Sequence, residues 1–175
     1  MKKRNINVIK DSNGRKIVVI NEIRFKGKRK INWSEVEAYL KQYINDFYEI
    51  AESSDFVYIG KEFADEFSNS EDTIRLNGTL AKAKANAASG VPELIEIASN
   101  KRFKENLTNK HRKDAKYGWY RYDSRFALPV YNNDGSAERY NIFRVEMLIR
   151  HDTDGKLYLY DIVNIKKETS TPLEQ

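Results

Sequence analysis

Apolar positions along the 175-residue chain change their spacing more than once, and each change predicts an element. "INVIK" and "IVVI" alternate on either side of "DSNGRK", where Asn13-Gly14 tolerates the backbone of a tight turn, so residues 6–20 predict a hairpin. Beyond the basic linker "RFKGKRK", Val36, Leu40, Tyr43, Phe47 and Ile50 recur at intervals of three and four, which is one face of a helix. Ser34 followed by Glu37 fits a capping box at its start. "DFVYIG" predicts a strand and "EFADEFSNSEDT" an acidic connection. The Ala-rich "GTLAKAKANAASG" predicts a helix closed by Gly90, and "VPELIEIASN" a second one with Pro92 in its first turn. From residue 117 the period falls to two, over 117–131, 140–151 and 157–165, with "NNDGSAER" and "DTDG" as turns.

That order predicts an α+β fold in which helices from 78–107 pack on an antiparallel three- to four-stranded meander, with a small N-terminal α/β extension. A change of texture near residues 70–78 divides a basic hairpin-plus-helix module, 1–77, from a helix-plus-meander domain, 78–175. In the meander, Tyr120, Tyr122, Phe126, Leu128 and Val130 alternate onto one face, as do Phe143, Val145, Met147 and Ile149. Pairing Tyr131 with Tyr140 sets Leu128 opposite Phe143, Phe126 opposite Val145 and Tyr122 opposite Ile149. The other face then carries Arg125 opposite Glu146, Ala127 opposite Arg144, and Arg121 opposite Arg150. Like charges directly opposite are destabilising, so the last pair predicts an anion between them. The third strand resists the same treatment, because Leu159 and Val163 compete with Tyr160 and Ile162 for the inner face.

Composition narrows the classes. There are no cysteines, which excludes disulfides and thiolate metal sites. "MKKRNINVIKDSNG" has no apolar run behind its basic start, and no stretch is long enough to span a bilayer, so a cytoplasmic location in a bacterial host is expected, with no membrane partner. The net charge of +5 hides segregation. Lys and Arg outnumber Asp and Glu eleven to two over residues 1–31, are outnumbered five to thirteen over 32–100, and lead fifteen to eleven over 101–175. A basic surface for nucleic acid and an acidic one elsewhere are what this implies.

The two histidines, His111 and His151, have no accompanying cysteine, and HExxH, Walker and Rossmann motifs are absent, so neither metal nor cofactor is expected. Metal-independent RNA cleavage matches the inventory: a base for the ribose 2′-OH, an acid for the leaving oxygen, and fixed cations for the phosphorane. His151 falls at the same sheet end as Arg121 and Arg150, with His111 or Glu146 on the opposite proton. Lys116, Arg125 and Arg144 add cations, and Tyr117 and Trp119 offer rings for an unpaired base.

"GTLAKAKANAASGVPELIEIASN", "KHRKDAKYGWYRYDSRFALPVY" and "YNIFRVEMLIRHDTDGKLYLYDIVNIKKETS" together resemble the predicted nuclease domains attached to large polyvalent proteins of phages and mobile elements. Those belong to the barnase–EndoU–colicin–RelE group of small ribonucleases. The resemblance covers roughly residues 78–170 and rests on element order and texture. It implies helices on an antiparallel meander, and Tyr160, Lys166 and Thr169 near the site. The expected function is a metal-independent endoribonuclease, or a direct descendant of one, with RNA or a ribonucleoprotein as partner. The alternative is an anti-CRISPR-type inhibitor of a guide-RNA-loaded host defence nuclease, in which the acidic middle mimics nucleic acid. A third reading, a phage accessory with no chemistry, needs no site. Convergence of His111, His151, Arg121 and Arg150 in one cleft separates catalysis from binding.

Overall fold

The computed structural model describes residues 4–27, 30–104 and 118–171. Strands β1 (Ile6–Lys10) and β2 (Lys16–Ile20) form the expected antiparallel hairpin. Asp11 Oδ1 closes its loop by accepting the amides of Asn13 and Arg15, both at 2.9 Å, and Gly14 takes φ +77. Helix α1 (Trp33–Leu40) then begins, capped by Asn32 and not by Ser34: the Asn32 side chain accepts from the amides of Ser34 and Glu35 at 3.1 and 3.4 Å. The long helix expected through Ile50 stops early. A single 3₁₀ turn (Lys41–Tyr43) is followed by Asn45 at φ +75, and the chain turns into a hairpin of β3 (Phe47–Ile50) and β4 (Asp55–Tyr58). Phe47, which a continued helix would have buried, is exposed.

The acidic connection is also corrected. It folds as α2 (Phe63–Asn69) and α3 (Glu71–Arg75), with Phe63 and Phe67 fully buried one turn apart while Asp65 and Glu71 face water. Helices α4 (Gly78–Ala87) and α5 (Val91–Glu96) follow as predicted, with Pro92 in the first turn of α5. Between them the chain crosses β2 closely: a Cβ on Gly90 would stand 3.1 Å from Ile20 Cδ1, so only glycine leaves that approach unstrained. The helical coverage expected to 107 instead ends in a strand, β5 (Ser99–Lys104).

The last three strands, β6 (Trp119–Tyr131), β7 (Ala137–His151) and β8 (Leu157–Thr171), are the predicted meander, but they are not the whole sheet. The fold is α+β, yet it is dominated by one curled eight-stranded sheet, not by helices on three or four strands. The order is β1-β2-β6-β7-β8-β4-β3, with β5 also on β6. Strands from the N-terminal part flank the meander on both sides, through parallel pairs Val18–Phe126 and Val57–Leu157. One core cluster runs from Val18 to Ile165 and includes Val36, Phe67, Leu94 and Phe143. Among the described residues no helix is long and apolar enough to cross a membrane.

Phe126, Leu128, Phe143 and Val145 are buried on the helix-covered face as predicted, but the register differs by two residues. Phe126 lies opposite Phe143, with the rings stacked at 5.3 Å, and Arg121 lies opposite Leu148 instead of Arg150. A slip of two leaves every side chain on its face, so alternation alone does not reveal it. Strand β8 resisted registration because its pairing with β7 shifts at three places. Leu159, Ile162 and Ile165 all reach the core despite odd spacing, and Asn164 takes φ +54 beside one shift. The helix layer is pinned to β8 by a buried ion cluster. Lys84 of α4 meets Asp161 at 3.0 Å and Asp72 at 3.1 Å, and Ser70 donates to Asp161 at 2.8 Å.

Candidate nucleic-acid interface

The face of β6–β8 turned away from the helices carries the charge. Arg125, Arg144 and Lys166 sit directly opposite one another on three adjacent strands, so three cations share one line across the sheet. Arg125 is balanced, by Asp11 at 2.8 Å and by Glu168 at 2.9 Å. In turn, Arg125 and the amides of Arg15 and Asn13 hold the Asp11 carboxyl below its ordinary range, against a small opposing effect of burial. Arg144 and Lys166 are exposed and have no ion-pair partner among the described residues. Arg15 and Lys16, at the start of β2, line the same open groove, a space of about 1080 Å³ that also takes in Asn100.

One step along the strands the face changes sign. Asp123 lies opposite Glu146, and Arg102 bridges them at 2.9 and 3.2 Å. Arg121 reaches Glu146 at 3.2 Å, Asn164 donates to its other oxygen at 2.9 Å, and Asn100 donates to Asp123 at 2.8 Å. Burial pushes the Glu146 carboxyl up, but Asn164, Arg121 and Arg102 outweigh it and hold the group below its ordinary range. Both oxygens are therefore occupied and anionic, which leaves Glu146 little capacity to accept a proton.

Of the expected catalytic groups, Arg121 and Glu146 meet, whereas Arg150 and His151 lie apart from them. Arg150 lies opposite Trp119, buried at 7% exposure, where it bonds Glu62, meets Asp152 at 2.9 Å, and lies 4.6 Å over the ring of Tyr158. His151 follows the opposite parity: its ring is 5.9 Å from Tyr120, on the side of the sheet away from Arg121, and its Nε2 stands 3.2 Å from the Gly155 carbonyl. Trp119 meets Tyr160 edge-to-face at 5.1 Å. Thr169 pairs with Ile142 in the β7–β8 ladder. His111, Lys116 and Tyr117 lie outside the described residues.

The residues missed from sequence are Arg15, Lys16, Asn100, Arg102 and Asn164. Arg15 and Lys16 were visible only as the basic end of a hairpin turn, and nothing local brings them to β6. Arg102 falls within the helical coverage expected over 78–107, whereas it lies in β5. Asn164 is placed by the irregularity of β8. No family model, no curated protein and no solved structure matches the chain.

Proposed function

We propose that this protein binds RNA along the groove on the open face of the sheet, as a ribonuclease-like protein in which binding is the primary activity. The observation that carries this reading is the row Arg125–Arg144–Lys166, in which like charges face each other across both ladders and only Arg125 has carboxylates. A phosphate between Arg144 and Lys166, with Arg15 and Lys16 beside it, removes that conflict, and guanidinium forks suit phosphate oxygens. Cleavage fits less well, since Glu146 is held by three donors and His151 faces the other side of the sheet.

The test is RNA binding by the full chain over a range of salt in EDTA, with the RNA run on a gel afterwards. Affinity should fall steeply as salt rises, and Arg144→Ala and Lys166→Ala should each flatten the log–log slope by about 0.7 to 1. Binding that ignores salt, or slopes unchanged in both variants, refutes the groove. A second reading rests on charge segregation: Asp65 of α2 and Glu71 of α3 are exposed, within the stretch 32–100 where Asp and Glu outnumber Lys and Arg thirteen to five. In that reading the protein inhibits a guide-RNA-loaded nuclease, and charge reversal of Asp65 and Glu71 abolishes inhibition without altering RNA affinity.

A further inference from the structure

The face that carries the cation row ends, toward the β3 edge, in rings that the core does not use. Phe47 and Phe56 are 54% and 48% exposed and meet edge-to-face at 5.8 Å. Phe47 is 5.3 Å from Tyr58, and Tyr58 is 6.0 Å from Tyr158 on β8. Lys156 Nζ stands 4.9 Å over the Tyr58 ring. The ladders explain the order. Phe47 pairs with Tyr58, Tyr58 with Tyr158, Tyr158 with Arg150, and Arg150 with Trp119, so one line crosses β3, β4, β8, β7 and β6. Alternation along β7 puts Arg150 and Arg144 on the same face, and six residues at about 3.3 Å separate them, roughly 20 Å.

We infer that this aromatic line is a base-stacking track for single-stranded RNA whose phosphates continue into the groove at Arg144 and Lys166. The inference rests on the RNA-binding reading of that groove and adds to it the substrate class. Exposed rings at successive strand positions stack unpaired bases whatever their sequence, because every base has a π-face. Duplex RNA offers no such faces, since its bases are already stacked on each other.

Two features favour nucleic acid over a second protein surface. The rings are interleaved with cations, Lys156 over Tyr58 and Arg150 over Tyr158, and an apolar partner would have to take the Lys156 ammonium out of water. The Arg150 guanidinium is buried with Glu62 and Asp152 as partners and Tyr158 against it, so it holds that ring in the line and puts a positive charge beneath it without itself clamping a phosphate. Phe47 and Phe56 also sit on the short edge hairpin, where exposed apolar side chains invite aggregation unless something covers them.

The experiment is fluorescence anisotropy with the full chain and two probes of equal length: oligouridine, and a ribose-phosphate strand lacking bases. The wild type should bind oligouridine about tenfold or more tightly than the abasic strand. Phe56→Ala and Tyr58→Ala should each weaken oligouridine about tenfold and leave the abasic strand unchanged. Arg144→Ala should weaken both. Phe56 is half exposed, so thermal melting of its variant should match the wild type and exclude loss of fold. Equal affinity of the wild type for both probes, or oligouridine affinity untouched in both aromatic variants, overturns the stacking track while leaving the groove intact. A dimer that dissociates on Phe56→Ala with oligouridine affinity unchanged assigns the line to a second copy and overturns it as well. If neither probe binds at low salt, the groove itself falls.

Discussion

Replacing Lys84 by Met keeps the length of the side chain and removes a buried cation from the helix layer. Lys84 is 1% exposed, with Asp161 at 3.0 Å, Asp72 at 3.1 Å and the Phe67 ring 5.0 Å away. Asp72 is partly exposed and loses little. Asp161 is buried, and without Lys84 it keeps only Ser70 at 2.8 Å and the Ile162 amide at 2.7 Å. Breaking a buried pair by removing one partner costs about 3–5 kcal/mol. Each Asp161 oxygen retains one donor, so the expected loss is at the lower end, about 3 kcal/mol. In the wild type burial lifts Asp161 to about 6, with Lys84, Ser70 and the Ile162 amide pulling it down. Because that lies above the ordinary 3.8, proton uptake favours the fold. The contribution of Asp161 is complete below pH ~4 and is lost as the pH rises through about 6. Removing Lys84 lifts the carboxyl further, so acidification helps the variant more than the wild type. Urea denaturation should show the deficit shrinking by about 1 kcal/mol between pH 7 and pH 5. Adding Asp161→Asn to Lys84→Met should restore part of the loss at pH 7. A deficit below about 1 kcal/mol at pH 7, or one that grows on acidification, refutes the reasoning.

Three further substitutions test the fold. Phe143→Ala removes a ring 1% exposed and stacked on Phe126, and should cost about 3–5 kcal/mol in the same denaturation assay. Asn32→Ala should cost about 1 kcal/mol through loss of the α1 cap, whereas Ser34→Ala should stay within about 0.5 kcal/mol; the reverse order would return the cap to Ser34.

Features encoded over a few neighbouring residues were legible. The turn at Asn13-Gly14, the start of α5 at Pro92, and the inner faces of β6 and β7 at Phe126, Leu128, Phe143 and Val145 follow from local periodicity and turn chemistry. Features set by partners far along the chain were not. Tyr43, Phe47 and Ile50 continue a helical spacing, yet Asn45 and the need of β4 for a neighbour turn them into an edge hairpin. The parallel joins at Val18–Phe126 and Val57–Leu157 leave no local trace, so a meander was read where a sheet of eight strands exists. The two-residue slip of β6 against β7 is invisible to alternation, and it determined which cations face each other. The faces of Arg121, Arg125 and Arg144 were therefore read from the sequence, while their neighbours were not.

Cations on the two sides of the sheet are balanced differently, and the contrast bears on what the open face is for. Behind the sheet, Lys84, the one buried lysine among the described residues, has two carboxylates within 3.1 Å, as a charge out of water requires. In front, Asp11 and Glu168 both converge on Arg125 and leave Arg144 and Lys166 in the same line without either. In water that omission costs only tenths of a kcal/mol, because long side chains swing apart. A surface selected only for stability would gain little by correcting it. A surface that receives phosphate loses affinity if it is corrected, since each carboxylate placed there competes with the ligand. The acidic row of Asp123 and Glu146 shows that this face does accommodate carboxylates, and that where it does, Arg102 and Arg121 neutralise them. The unbalanced pair thus lies between two balanced sets of charges, with the groove open above it.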